Sequence, residues 1–239
     1  MAKSKITPED IARLNDIINV LNGIAHVSPG LSTANQASKI YEIFILANIA
    51  DAASQFAILT AFSTVDNGHG QAVPVAVPPN GTLNFRLSPG DIFDINGAPG
   101  FIFMNVNGVK YELQNGISCC GISSEYHELD ISIVDEPHAS LARFHKQRPL
   151  EPWVSFLVEC KMRGKKLEFG VGREVVGLIA EFPSTAVWLV SNKQHGAAGN
   201  PNRVGPLVHH YKGNTAFNIN HANRTQLVMA MQLELSGLL

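Results

Sequence analysis

Two segments in which apolar and polar residues alternate constrain this chain more than anything else in it. Glu128-Leu129-Asp130-Ile131-Ser132-Ile133-Val134-Asp135 and Leu157-Val158-Glu159-Cys160-Lys161 each read as a β-strand with one polar face. Because strand side chains point alternately to two sides, Glu128, Asp130 and Ser132 share a face, and Leu129, Ile131 and Ile133 take the other. In the second segment Glu159 and Lys161 share a face and Cys160 points away. Paired in one sheet, these strands would set two carboxylates and an ammonium together. That constellation can hold a divalent cation with a fixed positive charge beside it, which is what phosphodiester hydrolysis requires. The plainer reading of the same residues is a pair of surface strands with ordinary charges.

The flanking sequence adds context. Trp153-Val154-Ser155-Phe156-Leu157-Val158 reads as a buried strand leading into Glu159, and Gly172 to Ala180 reads as a helix after it. Upstream, Lys39 to Leu46 is helical, with Glu42 among Ile40, Ile43 and Phe44; that acid either faces solvent or borders the site. An acid, a variable gap and Glu-x-Lys, here Asp130 and Glu159-Cys160-Lys161, resembles the PD-(D/E)xK superfamily of restriction-like nucleases. The resemblance spans 33–62 and 125–195. The family's leading Pro-Asp is replaced by His127-Glu128-Leu129-Asp130.

The resemblance implies a restriction-endonuclease-like α/β core, a mixed sheet flanked by helices. It also implies Mg2+ or Mn2+, since hard cations take oxygen ligands and keep several waters beside one or two carboxylates. Asp130 and Glu159 would be the carboxylate ligands, the Cys160 carbonyl a third oxygen, and Glu42 a further acid. Lys161 would orient or activate the attacking water and offset charge in the transition state. Asp130, Glu159 and Lys161 are thus the expected catalytic set of an endodeoxyribonuclease, used in restriction or defence against foreign DNA.

The chain of 239 residues, 45% of them apolar, is long enough for a single domain over 1–239, with residues 65–122 as a β-rich insertion. Charged residues are 16% and the net charge is −2, so the chain as a whole does not attract nucleic acid and any DNA contact must be local. Candidate patches are Arg143, Lys146 and Arg148, and Lys161, Arg163, Lys165 and Lys166. Arg173, at a helix start, reaches either a phosphate or a nearby carboxylate. Double-stranded DNA is the expected partner. Cutting both strands favours a homodimer or higher homo-oligomer, with the 65–122 insertion, through apolar residues such as Phe101 and Phe103, or the last helix at the interface. No signal or membrane segment is read, and three cysteines make no disulfide framework, so a cytoplasmic protein is expected.

Element by element, Thr7-Pro8-Glu9-Asp10 opens a helix that Gly23 can end. A second helix runs from about Ser32 to Ala57. Short strands follow at 73–77, 83–87, 91–95, 101–106 and 109–113, separated by Asn-Gly and Pro-Gly turns. Residues 136–152, with Pro137, Pro149 and Pro152, read as a loop. Ala186 to Ser191 is a buried strand, 192–205 a loop and 207–211 a strand. A last helix starts near Asn223 with Leu227, Met231 and Leu235 on one side. Gly170, Gly172 and Gly177 lack dinucleotide-loop spacing. His209, His210 and His221 with Asn218 and Asn220 lack zinc-site spacing. Two competing classes remain open: a catalytically inactive nucleic-acid-binding protein, and a phage or cell assembly protein that uses 65–122 as its functional surface.

Overall fold

A computed structural model describes residues 7–30, 37–162, 169–191, 215–218 and 224–239. Its centre is a mixed eight-stranded sheet. Among the described residues five helices flank it: α1 (Pro8–Ala25), α2 (Ala37–Ala53), α3 (Glu136–His145), α4 (Phe169–Glu181) and α5 (Arg224–Leu238). The strands are β2 (Ile58–Asp66), β3 (Ala72–Ala76), β5 (Gly100–Val106), β6 (Val109–Cys120), β7 (Tyr126–Asp135), β8 (Val154–Lys161), β9 (Ala186–Ser191) and β10 (Thr215–Asn218). Their spatial order is β10-β9-β8-β7-β6-β5-β2-β3. β5 to β8 pair antiparallel, whereas β9 runs parallel to β8 and β10 parallel to β9. Two further strands, β1 (Ser28–Gly30) and β4 (Thr82–Asn84), form a separate parallel pair.

The helix opening is built as its residues dictate. The Thr7 hydroxyl accepts from the Asp10 amide, and the Asp10 carboxylate accepts from the Thr7 amide at 2.9 Å, a reciprocal cap for two unpaired donors. α1 runs past Gly23 to Ala25 and ends at His26, which is left-handed at φ 54°. α2 is apolar all round and buried along nearly its whole length, because it lies between the sheet and the pair α1 and α5. Ile131, Ile133, Phe156, Val158 and Trp188 face that side; Leu129, Val134, Leu157, Val187 and Leu189 pack with α3 and α4 on the other.

Several sequence expectations are corrected. The stretch 136–152 is not a plain loop: Pro137 sits in the first turn of α3, where its missing N–H costs nothing, and Ala139 and Ala142 bury the helix against the sheet. Asp91 to Ile95 forms turns instead of a strand, held by the Asp91 amide donating to the Asp94 carboxylate at 2.6 Å. The Asn107-Gly108 turn does join β5 to β6, with both residues at positive φ. The Asn115-Gly116 pair, by contrast, lies inside β6, which continues to Cys120. Three strands of the 65–122 stretch, β3, β5 and β6, belong to the central sheet, and β6 is the direct neighbour of the Asp130 strand. Phe101 is only 1% exposed, stacked on Phe62 and covered by the Arg143 guanidinium 4.8 Å above its ring. It is therefore core and offers no subunit contact. Residues 192–211, with the expected loop and strand, lie outside the described residues, as do His221 and Asn220.

A buried polar chain crosses the second side of the sheet. Arg143 donates two hydrogen bonds to the Glu112 carboxylate at 2.7 and 2.6 Å. Gln114 donates to Glu112 at 2.7 Å, and Arg86 donates to Gln114 at 3.1 Å. Arg143 is thus a structural ion-pair partner and leaves the expected DNA patch; Lys146 and Arg148, which follow it, stay near the surface.

Candidate active site

The strict alternation read from the sequence breaks at the residue that matters most. Leu129 packs with α3 and α4, whereas Ile131 and Ile133, of the same parity, pack beneath α2. The neighbouring strand reverses at the same level, with Leu113 on the α2 side and Ile117 on the other. Between them stands Gly116 at φ +58°, across from Asp130 in the register set by Asn115 opposite Ile131 and Ile117 opposite Leu129. A left-handed residue inside a strand is one that glycine adopts without steric cost.

β7 and β8 stay paired up to Ile131 and Val158 and then part, while β8 continues through Glu159, Cys160 and Lys161 against β9 alone. The parting frees the Cys160 amide, and the Asp130 carboxylate takes it at 2.7 Å. A side-chain acceptor thereby replaces a lost ladder bond, and Asp130 is fixed beside the Glu-x-Lys segment. Lys161 forms an ion pair with Glu159 and reaches Glu174 of α4 at 3.5 Å; its backbone carbonyl accepts from the Ser191 hydroxyl at 2.9 Å. From α2, Glu42 enters the same neighbourhood only 7% exposed, paired with Lys39 at 2.5 Å.

Charge repulsion and burial shape this group. Burial, then the negative charge of Asp130, raises the Glu42 carboxyl to about 7, against the opposing pull of Lys39. Burial and Asp130 also raise Glu159, more than its Lys161 partner lowers it. Asp130 itself is raised by burial, with the Cys160 amide and Lys161 acting the other way. Burial works to lower both lysines, yet the carboxylates around them carry each above its ordinary value. Carboxyls that resist ionising, with two ammonium groups drawn in among them, describe a site short of positive charge.

Asp130, Glu159, Lys161 and Glu42 are therefore brought into one electrostatic cluster. The Cys160 thiol is buried on the α2 side, so only its backbone carbonyl could serve a cation. Arg173 lies exposed near the start of α4, next to Glu174. Arg163 and Lys165 lie outside the described residues. Sequence reasoning gave Lys39 and Glu174 no place in the site and set Glu128 only on the polar face of Asp130; these three complete the charge balance. Lys39 and Glu42 stand three apart on a helix, a spacing that brings side chains together, and that signal was available.

The donor set is all oxygen, two carboxylates at a strand fork plus a backbone carbonyl, which suits a hard cation that keeps most of its waters. It is a sparse set: among the described residues no three His, Cys, Asp or Glu side chains stand close enough to hold a metal ion by themselves. No described helix is long and apolar enough to cross a membrane. Comparison with family models, curated proteins and solved structures gives no match.

Proposed function

We propose that this chain is a divalent-metal-dependent endodeoxyribonuclease with a restriction-endonuclease-like core. One observation carries the reading: Asp130 and Glu159 meet where β7 and β8 part, with Lys161 beside Glu159. In this reading Asp130, Glu159 and the Cys160 carbonyl would hold Mg2+ or Mn2+, with Glu42 as a further acid. A bound cation would supply a polarised phosphate and a more acidic water. Asp130 keeps its position through the Cys160 amide. Lys161, paired with Glu159, would hold the attacking water and offset charge developing on the phosphate. Lys39 balances Glu42 in the meantime. DNA is the substrate we assign, in the setting of restriction or defence, with a homodimer or higher homo-oligomer cutting the two strands of a duplex.

A second reading has its own support. The two lysine–glutamate pairs already neutralise the acids, as they would in an inactive nucleic-acid-binding core. Supercoiled plasmid incubated with the protein and Mg2+ or Mn2+ separates the two. The nuclease reading expects nicking or linearisation that stops with chelator and in Lys161→Ala. DNA binding without cleavage in either metal, unchanged by Lys161→Ala, would establish the inactive core.

A further inference from the structure

Two cavities meet at Tyr126, the first residue of β7. One, of about 570 Å3, is walled by Tyr126, Glu128, Glu159, Glu174 and Glu181. The other, of about 340 Å3, is walled by Asp91, Tyr126, Lys146, Arg148 and Leu150. The tyrosine between them is 62% exposed, and the Arg148 guanidinium lies 4.0 Å over its ring. We propose that Tyr126 and Arg148 form a stacking platform for an unpaired nucleobase of the strand that enters the Glu159–Lys161 site. The proposal rests on the nuclease reading and narrows its substrate to DNA with unpaired nucleotides beside the cut.

The charge pattern fixes how a nucleotide would lie. Away from the Glu159 end, where a cation would sit, Glu128, Glu174 and Glu181 disfavour phosphate in the first cavity but offer acceptors to the amino groups of a base. On the far side of the ring, Lys146 has no acidic partner among the described residues, and it stands beside Arg148. The base therefore belongs in the acidic cavity, against tyrosine, and its phosphate at the basic one. Aromatic faces accept any base, and arginine adds a cation–π contribution.

The platform is also held in place before any ligand arrives. Arg148 is anchored by Asp91 through hydrogen bonds of 2.5 and 3.5 Å. On the opposite wall Glu181 accepts from the Ser123 amide and hydroxyl at 3.1 and 2.7 Å. Neither group needs to search for its position, which lowers the cost of binding. Tyr126 precedes Asp130 by four residues on one strand, about 13 Å of strand rise, so a stacked base lies a few nucleotides from the phosphate to be cut.

Fluorescence anisotropy tests this in the Lys161→Ala background with Ca2+, where binding is read without cleavage. A labelled oligodeoxyadenylate and a fully paired hairpin are compared. Tyr126→Ala should weaken single-strand binding about tenfold, the scale of one lost base stack, with Tyr126→Phe near the parent and the paired hairpin little changed. Single-strand binding by Tyr126→Ala equal to the parent overturns the platform, and so does an equal loss on the paired hairpin. If Tyr126→Ala with Lys161 intact still cleaves plasmid in either case, the nuclease reading survives the failure. If the parent binds no nucleic acid and the wild type cuts none, both fall together.

Discussion

The Asp130 carboxylate accepts the backbone N–H of Cys160 at 2.7 Å, and this bond locks the acid strand to the Glu-x-Lys strand where their pairing ends. It uses one carboxylate oxygen as a structural acceptor and leaves the other for the cation we propose. Asparagine can make the same structural bond through its amide oxygen but cannot carry the charge.

Asp130→Asn should therefore separate fold from activity. We expect cleavage to be lost while stability stays within about 1 kcal/mol of the wild type, or rises, because a charge that repels Glu42 and Glu159 is gone. Urea unfolding beside the plasmid assay checks this. Full activity in the variant would remove Asp130 from the site.

Burial raises Glu42 from an ordinary value of 4.5 to about 7. The folded chain then holds this proton more tightly than the unfolded one. Its contribution to stability is complete below about pH 4.5 and is lost as the pH rises through about 7. Glu159 shifts in the same direction. Unfolding free energy should accordingly fall between about pH 5 and 8, and Glu42→Gln should flatten part of that slope. Lys39→Met should cost more at the upper end, where Glu42 must be charged without its partner. A Glu42→Gln slope identical to the wild type would place Glu42 in water.

The Glu112–Arg143 pair makes a prediction about the scaffold alone. Arg143→Ala leaves a fully buried carboxylate with only Gln114 to bond it, so we expect a loss of about 3–5 kcal/mol. Replacing both partners with apolar residues of similar size should recover much of that loss, because no charge is then left unpaired. Denaturant melts of the single and double variants give the comparison; a loss under about 1 kcal/mol in Arg143→Ala would mean that water reaches the site.

Alternation and capping made much of this architecture legible. The patterns around Asp130 and Glu159, the Thr7 cap and the Leu227-Met231-Leu235 stripe all sit on the expected elements. Strict periodicity misplaced Leu129, because the side switch is set by Gly116 on the neighbouring strand β6 and leaves no mark in the pattern of β7 itself. Composition misled at 136–152, where prolines start helical turns as readily as they fill loops. Arg143 looked like a surface cation because its partner Glu112 is long-range. Glu42 was legible as an acid on a helix, but its burial beside Asp130 and Glu128 depends on α2 packing against β7, which no local window contains.

The account turns on Asp130 and Glu159 sharing one divalent cation, and calorimetric titration with Mn2+ addresses that most directly. We predict one site per chain in the wild type, retained in Lys161→Ala and lost in both Asp130→Asn and Glu159→Gln. Mn2+ binding that survives the two neutralising substitutions, or no binding in a folded wild type, would contradict it.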